Sequence, residues 1–109
     1  MEINEYQKLA LRTANFKMSK DDMLLDGLMG LNGEAGECID ILKKHLFQGH
    51  TLNRVGLINE LGDVSWYLAI TAHALGISLE EIFEANIAKL RARYPHGFSV
   101  EKSVNRHED

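Results

Sequence analysis

The chain has 109 residues, of which 45% are hydrophobic and 26% charged, and its formal net charge is -4 at pH 7. These values describe one globular domain, residues 1–109, and the acidic balance disfavours binding to a nucleic-acid polymer. The single cysteine, Cys38, cannot form an internal disulfide and fits a reducing cytoplasm. Because we find neither an apolar run of about 18 residues nor a signal-peptide pattern, we expect a cytoplasmic protein without a membrane span.

The proline and β-branched content favours helices along most of the chain. Proline occurs once, at Pro95, and no segment alternates β-branched with polar residues, so the residues before Pro95 are predicted to be helical. We predict four helices, over residues 3–16, 20–47, 52–75 and 79–93. Residues 95–109 are polar and are predicted to form a loop or a docked tail.

Residues typical of helix ends flank these segments. Ser19 is the predicted N-cap of the second helix, with acidic residues in the turn that follows. Gly76 is the predicted C-cap of the third helix. Ser78 and Glu81 have the spacing of a capping box, which predicts the start of the fourth helix.

Apolar residues recur every three or four positions in the second and third helices, as in the seam of a helical bundle. The seam residues are Leu24, Leu28, Leu31, Ala35, Cys38, Leu42 and Leu46 in the second helix, and Ile58, Leu61, Ser65, Leu68, Ala72 and Leu75 in the third. A short polar link at residues 48–51 predicts that the two helices fold back antiparallel. The predicted fold class is therefore all-α, a four-helix-bundle type of core around this hairpin, and because the domain is small we expect oligomerisation to complete it.

The hairpin carries two acidic pairs, Glu34-x-x-Glu37 and Glu60-x-x-Asp63. Residues three apart share one face of a helix, so each pair places two carboxylates side by side. With the turn near residue 50, Glu37 lies level with Asp63, and the other two acids fall within about 5 Å of that level. Four carboxylates so close together repel one another unless a cation or protons offset their charge.

A divalent cation is the predicted ligand of these acids. Ligation by oxygen alone favours Mg²⁺ or Mn²⁺, with Ca²⁺ possible, over zinc or copper. Because Mg²⁺ keeps several waters and is usually completed by substrate phosphates, we expect a phosphate ester or anhydride as substrate. The competing interpretation is that all four acids are solvated surface residues, as most Asp and Glu residues are.

Glycine recurs every third residue in the second helix, at Gly27, Gly30, Gly33 and Gly36. Each glycine inside a helix costs about 1 kcal/mol relative to alanine, so a structural reason is expected. Gly27 and Gly30 would allow a ligand or another backbone to approach closely, and tight packing between helices explains them equally well.

Basic and aromatic residues near the acidic pairs suggest contacts with substrate. Asn86, Lys89 and Arg93 share one stripe of the fourth helix, where they would either bind phosphates or, for the two cations, complement the helix dipole. Lys44 is a weaker phosphate-binding candidate. Trp66 is predicted to pack in a subunit interface or to stack on a nucleobase, and Tyr67, on the side of the acidic pair, to do either.

Three segments together carry a family resemblance: GEAGE at residues 33–37, ELGD at 60–63 and NIAKLRARYPHGFS at 86–99. With them the chain resembles the MazG-like, all-α nucleoside triphosphate pyrophosphohydrolases over nearly its full length. The resemblance implies Mg²⁺-dependent cleavage of a nucleoside or deoxynucleoside triphosphate to the monophosphate and pyrophosphate. It also implies a homodimer or a dimer of dimers, with the four acids as metal ligands and the C-terminal helix signature on the substrate phosphates.

One position departs from that pattern. Dimeric dUTPase-like relatives carry an additional Glu directly before the first acidic pair, a candidate base for activating water, and this chain has Gly33 there. Glu34 or Glu37 would therefore have to serve as the catalytic base as well as a metal ligand. Three other interpretations stay open: a phosphoribosyl-ATP pyrophosphohydrolase, a catalytically silent module that binds nucleotide or metal, and an interaction bundle without a metal site.

Overall fold

The computed structural model describes residues 1–106, which are helical with no β-strand among them. The helices, in chain order, are α1 (Ile3–Leu11), α2 (Lys20–Phe47), α3 (Arg54–Ala74), α4 (Leu79–Arg93) and α5 (Val100–Val104). The predicted all-α fold class is thus confirmed. The chain divides after Leu79 into two compact units, the first with α1 to α3 and the second with α5 and the rest of α4. No helix in the described residues is long and apolar enough to cross a membrane.

The bounds of α2 agree with the predicted ones. Ser19 has an extended backbone, and its Oγ accepts a hydrogen bond from the amide of Asp22 at 3.1 Å, as expected of an N-cap. After the last turn, Gly49 adopts a left-handed φ of +75°, and Nδ1 of His45 donates to the carbonyl oxygen of His50 at 2.8 Å. These contacts end the helix and turn the chain toward α3.

The first helix is shorter than predicted, because α1 ends at Leu11 rather than at residue 16. The amides of residues 12, 13 and 14 donate to carbonyl oxygens three residues earlier, at 3.1 to 3.2 Å, so the chain tightens out of the α-helical pattern. The side chain of Asn15 then accepts a hydrogen bond from the amide of Lys17 at 3.0 Å. This local turn competes with continuation of the helix, and no proline or glycine in this part of the sequence indicates it.

The third helix begins two residues later and ends one residue earlier than predicted. It begins after Asn53, whose side chain accepts a hydrogen bond from a first-turn amide at 3.0 Å. At its end Gly76 takes a left-handed φ of +76° and donates to the carbonyl oxygen of His73 at 2.9 Å, while Ile77 donates to that of Ala72 at 3.1 Å. This pair of hydrogen bonds is a Schellman motif, and it requires the glycine that the sequence provides.

Small residues bring α2 and α3 close together. A Cβ atom on Gly27 would overlap Oγ1 of Thr71, and one on Gly30 would overlap the ring of Tyr67. Gly27 thus faces Thr71 and Gly30 faces Tyr67, so residue numbers fall along α3 as they rise along α2. The two helices therefore run antiparallel. Tight helix packing therefore accounts for Gly27 and Gly30, and the space above them is filled by α3 rather than by a ligand.

The core of the first unit is small. Ala10, Ala69 and Leu79 are buried together, with four partly buried residues packed against them: Ile3, Tyr6, Trp66 and Leu68. Much of the predicted seam lies outside this core, since Leu28 is 50%, Leu46 59% and Ile58 61% exposed. Ala72 of the seam is buried, but the seam as a whole is only partly covered within one chain, because α1 packs on the Ala69 side of α3.

The predicted tail contains a short helix. Within residues 95–109, α5 spans Val100–Val104, and Oγ of its N-cap Ser99 accepts a hydrogen bond from the amide of Lys102 at 3.3 Å. Before it, Gly97 takes a left-handed φ of +91° and the Tyr94 and Phe98 rings lie 5.6 Å apart. Residues 107–109 of that tail lie outside the described residues.

Candidate metal centre

Three of the four predicted acids converge. Glu34 and Glu37 on α2 and Glu60 on α3 each present an oxygen atom, and these three atoms lie within 4.8 Å of one another. The spacing of three residues puts both α2 acids on one face, and the close approach of α3 at Gly30, one turn earlier, brings Glu60 against them. Glu34 and Glu60 are half-buried, and Glu37 is exposed.

Two oxygens in this cluster are left without a hydrogen bond. Oε2 of Glu34 and Oε2 of Glu60 are buried, and no hydrogen-bond donor in the described part of the chain reaches them. A buried acceptor without a partner is unfavourable, and an ionised one more so. A divalent cation would satisfy both atoms, and carboxylate oxygens are the ligands that Mg²⁺ and Mn²⁺ prefer, so these residues fit such an ion.

The electrostatics of the cluster agree with its crowding. Hydrogen bonding to Glu60, followed by the repulsion of its charge, raises the pKa of Glu37. Hydrogen bonding to the Glu34 side chain, followed by burial, raises the pKa of Glu60. Crowding therefore disfavours the charged forms of Glu37 and Glu60, and a bound cation would offset the same repulsion.

Asp63, the fourth predicted ligand, lies beside the cluster rather than in it. Its oxygens are not among the three that lie within 4.8 Å of one another. Its charge nevertheless contributes to the raised pKa of both Glu37 and Glu60, so it is near them. Asp63 is exposed and follows Glu60 by three residues on the same helix face, which leaves its side chain room to turn toward an ion.

Tyr67 is an aromatic neighbour of the acids. Its ring lies against Gly30 and stands edge-on to Trp66, with the ring centroids 5.0 Å apart. Burial, followed by the charges of Asp26, Glu34 and Asp63, raises the pKa of its phenol. Its predicted role in base stacking stays a prediction.

Asp26 was absent from the sequence-based candidates. It precedes Gly30 by four residues and Glu34 by eight, so all three follow one stripe of α2. This stripe continues the face that carries the first acidic pair, and it is the signal in the sequence that identifies Asp26 as a neighbour of the site.

Trp66 contacts α1 of its own chain. The indole nitrogen donates to the carbonyl oxygen of Ala10 at 3.0 Å and to Oγ1 of Thr13 at 2.9 Å, and the ring packs against the core. These contacts account for its position on the side of α3 away from the seam. Packing in a subunit interface and stacking on a base remain predictions.

The predicted phosphate-binding residues lie on α2 and α4. Lys44 forms an ion pair with Asp40 at 3.1 Å, one to two turns beyond Glu37, and this contact lowers the pKa of Asp40. Asn86, Lys89 and Arg93 lie on α4 in the second unit, on one stripe of that helix. The first two are exposed and Arg93 is half-buried.

Comparison with known proteins identifies the family. Residues 25–98 match the MazG nucleotide pyrophosphohydrolase domain, a segment that includes both acidic pairs and the α4 stripe. The chain belongs to the MazG family. Its resemblance to MazG-like proteins is thereby confirmed, and the domain is a member of a nucleotide pyrophosphohydrolase family.

A phage protein is a relative over the whole of its length. The Gene 37 protein of Mycobacterium phage L5 is 36% identical to this MazG protein over 114 residues, covering 97% of this chain and 100% of the phage protein. No solved structure matches the chain. The function of the chain is therefore inferred from its family membership and from the acidic cluster.

Proposed function

We propose that this MazG protein hydrolyses nucleoside or deoxynucleoside triphosphates to the monophosphate and pyrophosphate, with Mg²⁺ as the cofactor and Mn²⁺ as a possible substitute. The proposal rests on three carboxylate oxygens, from Glu34, Glu37 and Glu60, that lie within 4.8 Å of one another. Glu34 and Glu60 each also have a buried oxygen without a hydrogen-bond partner among the described residues. Such a group is unfavourable unless a cation binds it. In a family of nucleotide pyrophosphohydrolases, the substrate phosphates complete the coordination of that cation.

The chain's own residues supply the ligands and the base. Glu34, Glu37 and Glu60 would hold the ion. Asp63, which follows Glu60 by three residues on α3, would turn toward it. When bound there, Mg²⁺ would supply charge neutralisation for the phosphates and would make the attacking water more acidic. The overall reaction adds one water across the phosphoanhydride bond between the α and β phosphates and releases pyrophosphate.

Glu37 is the residue we assign as the base that takes the proton from the attacking water, with Glu34 as the alternative. Glu37 is exposed, whereas one oxygen of Glu34 is buried. Gly33 offers no side chain for this task, so the base has to come from the acidic pairs.

Asn86, Lys89 and Arg93 would bind the outer phosphates and offset charge on the departing pyrophosphate. They form one stripe of α4, and their residue types suit phosphate. Lys44 is the weaker candidate, because binding phosphate would require it to leave Asp40. Tyr67 is the base-stacking candidate that lies closest to the acids, and Trp66 would need a surface not already packed on α1.

The working assembly we propose is a homodimer or homotetramer in the cytoplasm. Apolar residues of α2 and α3 are more than half exposed in the single chain, among them Leu46 and Ile58. Isolated exposed apolar residues are ordinary, but these recur at bundle spacing along two neighbouring helices. A second copy that presents the same helices would cover them and complete a four-helix bundle.

A pyrophosphate-release screen tests the proposal. The purified protein is incubated with each of the eight common nucleoside triphosphates, and with phosphoribosyl-ATP, with Mg²⁺ or with EDTA. The proposal expects Mg²⁺-dependent release of pyrophosphate from at least one nucleoside triphosphate. Cleavage of phosphoribosyl-ATP alone would assign the related activity instead. Binding of nucleotide without any turnover would reject the enzyme and leave a regulatory module.

A further inference from the structure

A cavity lies at the other end of α3 from the acidic cluster. It has a volume of about 550 Å³ and is lined by one face of α1, the first residue of α2 and the end of α3. The lining residues His73 and Ile77 follow Glu60 by 13 and 17 positions, which corresponds to about 20 Å or more along a helix at about 1.5 Å per residue. The cavity is therefore separate from the metal centre, and its volume is typical of small-molecule sites, which range over roughly 300–1,000 Å³.

Hydrogen bonds hold the walls of this cavity in place. Gln7 is only 8% exposed, its Nε2 donates to the carbonyl oxygen of Ala69 at 3.2 Å, and its Oε1 accepts from the amide of Leu79 at 2.9 Å. The ring of His73 stands edge-on to Phe16 at a centroid distance of 5.5 Å. These contacts fix part of the wall before a ligand binds, whereas the side chains of Lys8 and Lys20 are exposed and would be ordered on binding.

The backbone at Gly76 also leaves space in the cavity. A Cβ atom on this glycine would meet no other atom within 4 Å. Its φ of +76° disfavours any other residue at this point. The wall therefore stays open here for conformational reasons, and a ligand group can approach the main chain.

The charge that lines the cavity is positive, although the protein as a whole is acidic. Lys8, Lys20 and His73 are among the lining residues, and none of the lining residues is an acid. Within residues 1–106 no ion pair joins Lys8 or Lys20 to a carboxylate. Asp21 and Asp22 follow Lys20 in the first turn of α2 but do not line the cavity.

The rest of the lining includes apolar groups. Leu11 of α1 and Ile77 after α3 contribute aliphatic side chains to the same cavity. A ligand pocket in proteins is typically apolar with a few charged or polar groups that fix orientation. The combination of aliphatic walls with two lysines and a histidine selects a molecule that has both an apolar body and an anionic group.

We propose that this cavity binds a small organic phosphate that carries an apolar ring. The phosphate would contact Lys8, Lys20 and His73, and the ring would pack on Leu11 and Ile77. The site is distinct from the metal centre and does not depend on the activity proposed there. A nucleoside 5′-monophosphate has both required features and is a suitable probe. Adenosine and inorganic phosphate each have one of the two features and are the comparison ligands.

The test is a titration followed by backbone amide NMR in EDTA, so that no divalent cation recruits phosphate to the acidic cluster. Adenosine 5′-monophosphate is expected to bind saturably and to shift the amides of residues 4–11, 20 and 73–78. Adenosine and inorganic phosphate are expected to bind at least about tenfold more weakly, because each loses one class of contact. Shifts confined to residues 26–37 and 60–67, or no saturation, would overturn the proposal.

Lysine substitutions complete the test. The double variant Lys8→Gln/Lys20→Gln should weaken binding of adenosine 5′-monophosphate by about tenfold or more, since charge-assisted hydrogen bonds are lost. The control Lys43→Gln/Lys102→Gln changes the net charge equally at residues outside the cavity and should bind as the unmodified protein does. Equal weakening in both double variants would show a general charge effect and reject the site. Circular dichroism checks that both variants keep their helices.

Discussion

The contact between Gly30 and Tyr67 offers a sharp test of how α2 and α3 are held together. Replacing Gly30 with alanine adds one methyl group in the space that the Tyr67 ring occupies, where it would overlap Cε1 and Cζ. On its other contact the ring is perpendicular to the Trp66 ring, with the centroids 5.0 Å apart, so a displacement would also disturb this contact. Either the ring or the helix must therefore shift.

Two opposing effects decide the size of the change. Alanine is favoured over glycine inside a helix by about 1 kcal/mol, which would stabilise the variant. Overpacking a close contact costs about 1–3 kcal/mol, which would destabilise it. We expect the packing term to prevail at Gly30, with a net loss of about 1 kcal/mol in the free energy of unfolding.

Gly33 provides a matched control on the same helix. A Cβ atom there meets no atom of the described chain within 4 Å, so Gly33→Ala keeps the gain in helix propensity without the clash. The two variants should therefore differ by about 2 kcal/mol in stability, with Gly33→Ala the more stable. Urea unfolding followed by circular dichroism at one fixed protein concentration measures both values, because oligomerisation makes stability depend on concentration.

A double-mutant cycle identifies the clash as the cause. In a Tyr67→Ala background the ring is gone, so adding Gly30→Ala should no longer destabilise the protein. The reasoning is refuted if Gly30→Ala is as stable as Gly33→Ala, or if its loss persists when Tyr67 is alanine. The first result would mean that α2 and α3 are not in close contact at this point, and the second that the added methyl group is not opposed by the Tyr67 ring.

Three other predictions concern the site and the assembly. Glu37→Gln and Asp63→Asn should each reduce pyrophosphate release by at least about 100-fold, with circular dichroism unchanged; retained turnover in both would reject the site. Because folding raises the pKa values of Glu37 and Glu60, their contribution to stability is present at low pH and is lost as the pH rises through these raised pKa values. The melting temperature in EDTA should therefore fall from pH 5 to pH 7.5. Mg²⁺ should raise it by several degrees more at pH 7.5, and an equal rise at both pH values would contradict this. Leu46→Glu/Ile58→Glu should dissociate the assembly in sedimentation velocity, and an unchanged sedimentation coefficient would disprove the proposed interface.

Helix positions followed closely from local signals in the sequence. The Ser19 cap and the Gly76 Schellman motif depend on a few neighbouring residues, so the sequence alone predicts them. The end of α1 did not follow, because it depends on a turn at Asn15 that no proline or glycine marks in the sequence. The short helix α5 was missed for a related reason, since five residues carry too little periodicity to be distinguished from a polar tail.

The grouping of the acids was predictable as far as helix geometry reaches. The spacing within each pair and the antiparallel order bring Glu34, Glu37 and Glu60 together, in the volume predicted for them. Side-chain direction is not encoded by spacing, which is why Asp63 lies beside the cluster and Lys44 turns to Asp40. Trp66 shows the same limit, because its hydrogen bonds to α1 depend on where a separate helix packs.

The close packing of α2 on α3 also sets the chemistry of the acids. Gly30 precedes Glu34 by one turn, and Tyr67 follows Asp63 by one turn, so the contact that fixes the helix separation is adjacent to the carboxylates. Packing energy from this contact holds together charges that would otherwise separate the helices. Metal sites require ligand positions held to within about 0.5 Å, and a pair of helices in contact through glycine provides that constraint better than a loop would. The glycines therefore serve the proposed reaction indirectly, because they hold the acids close enough that a cation is favoured between them.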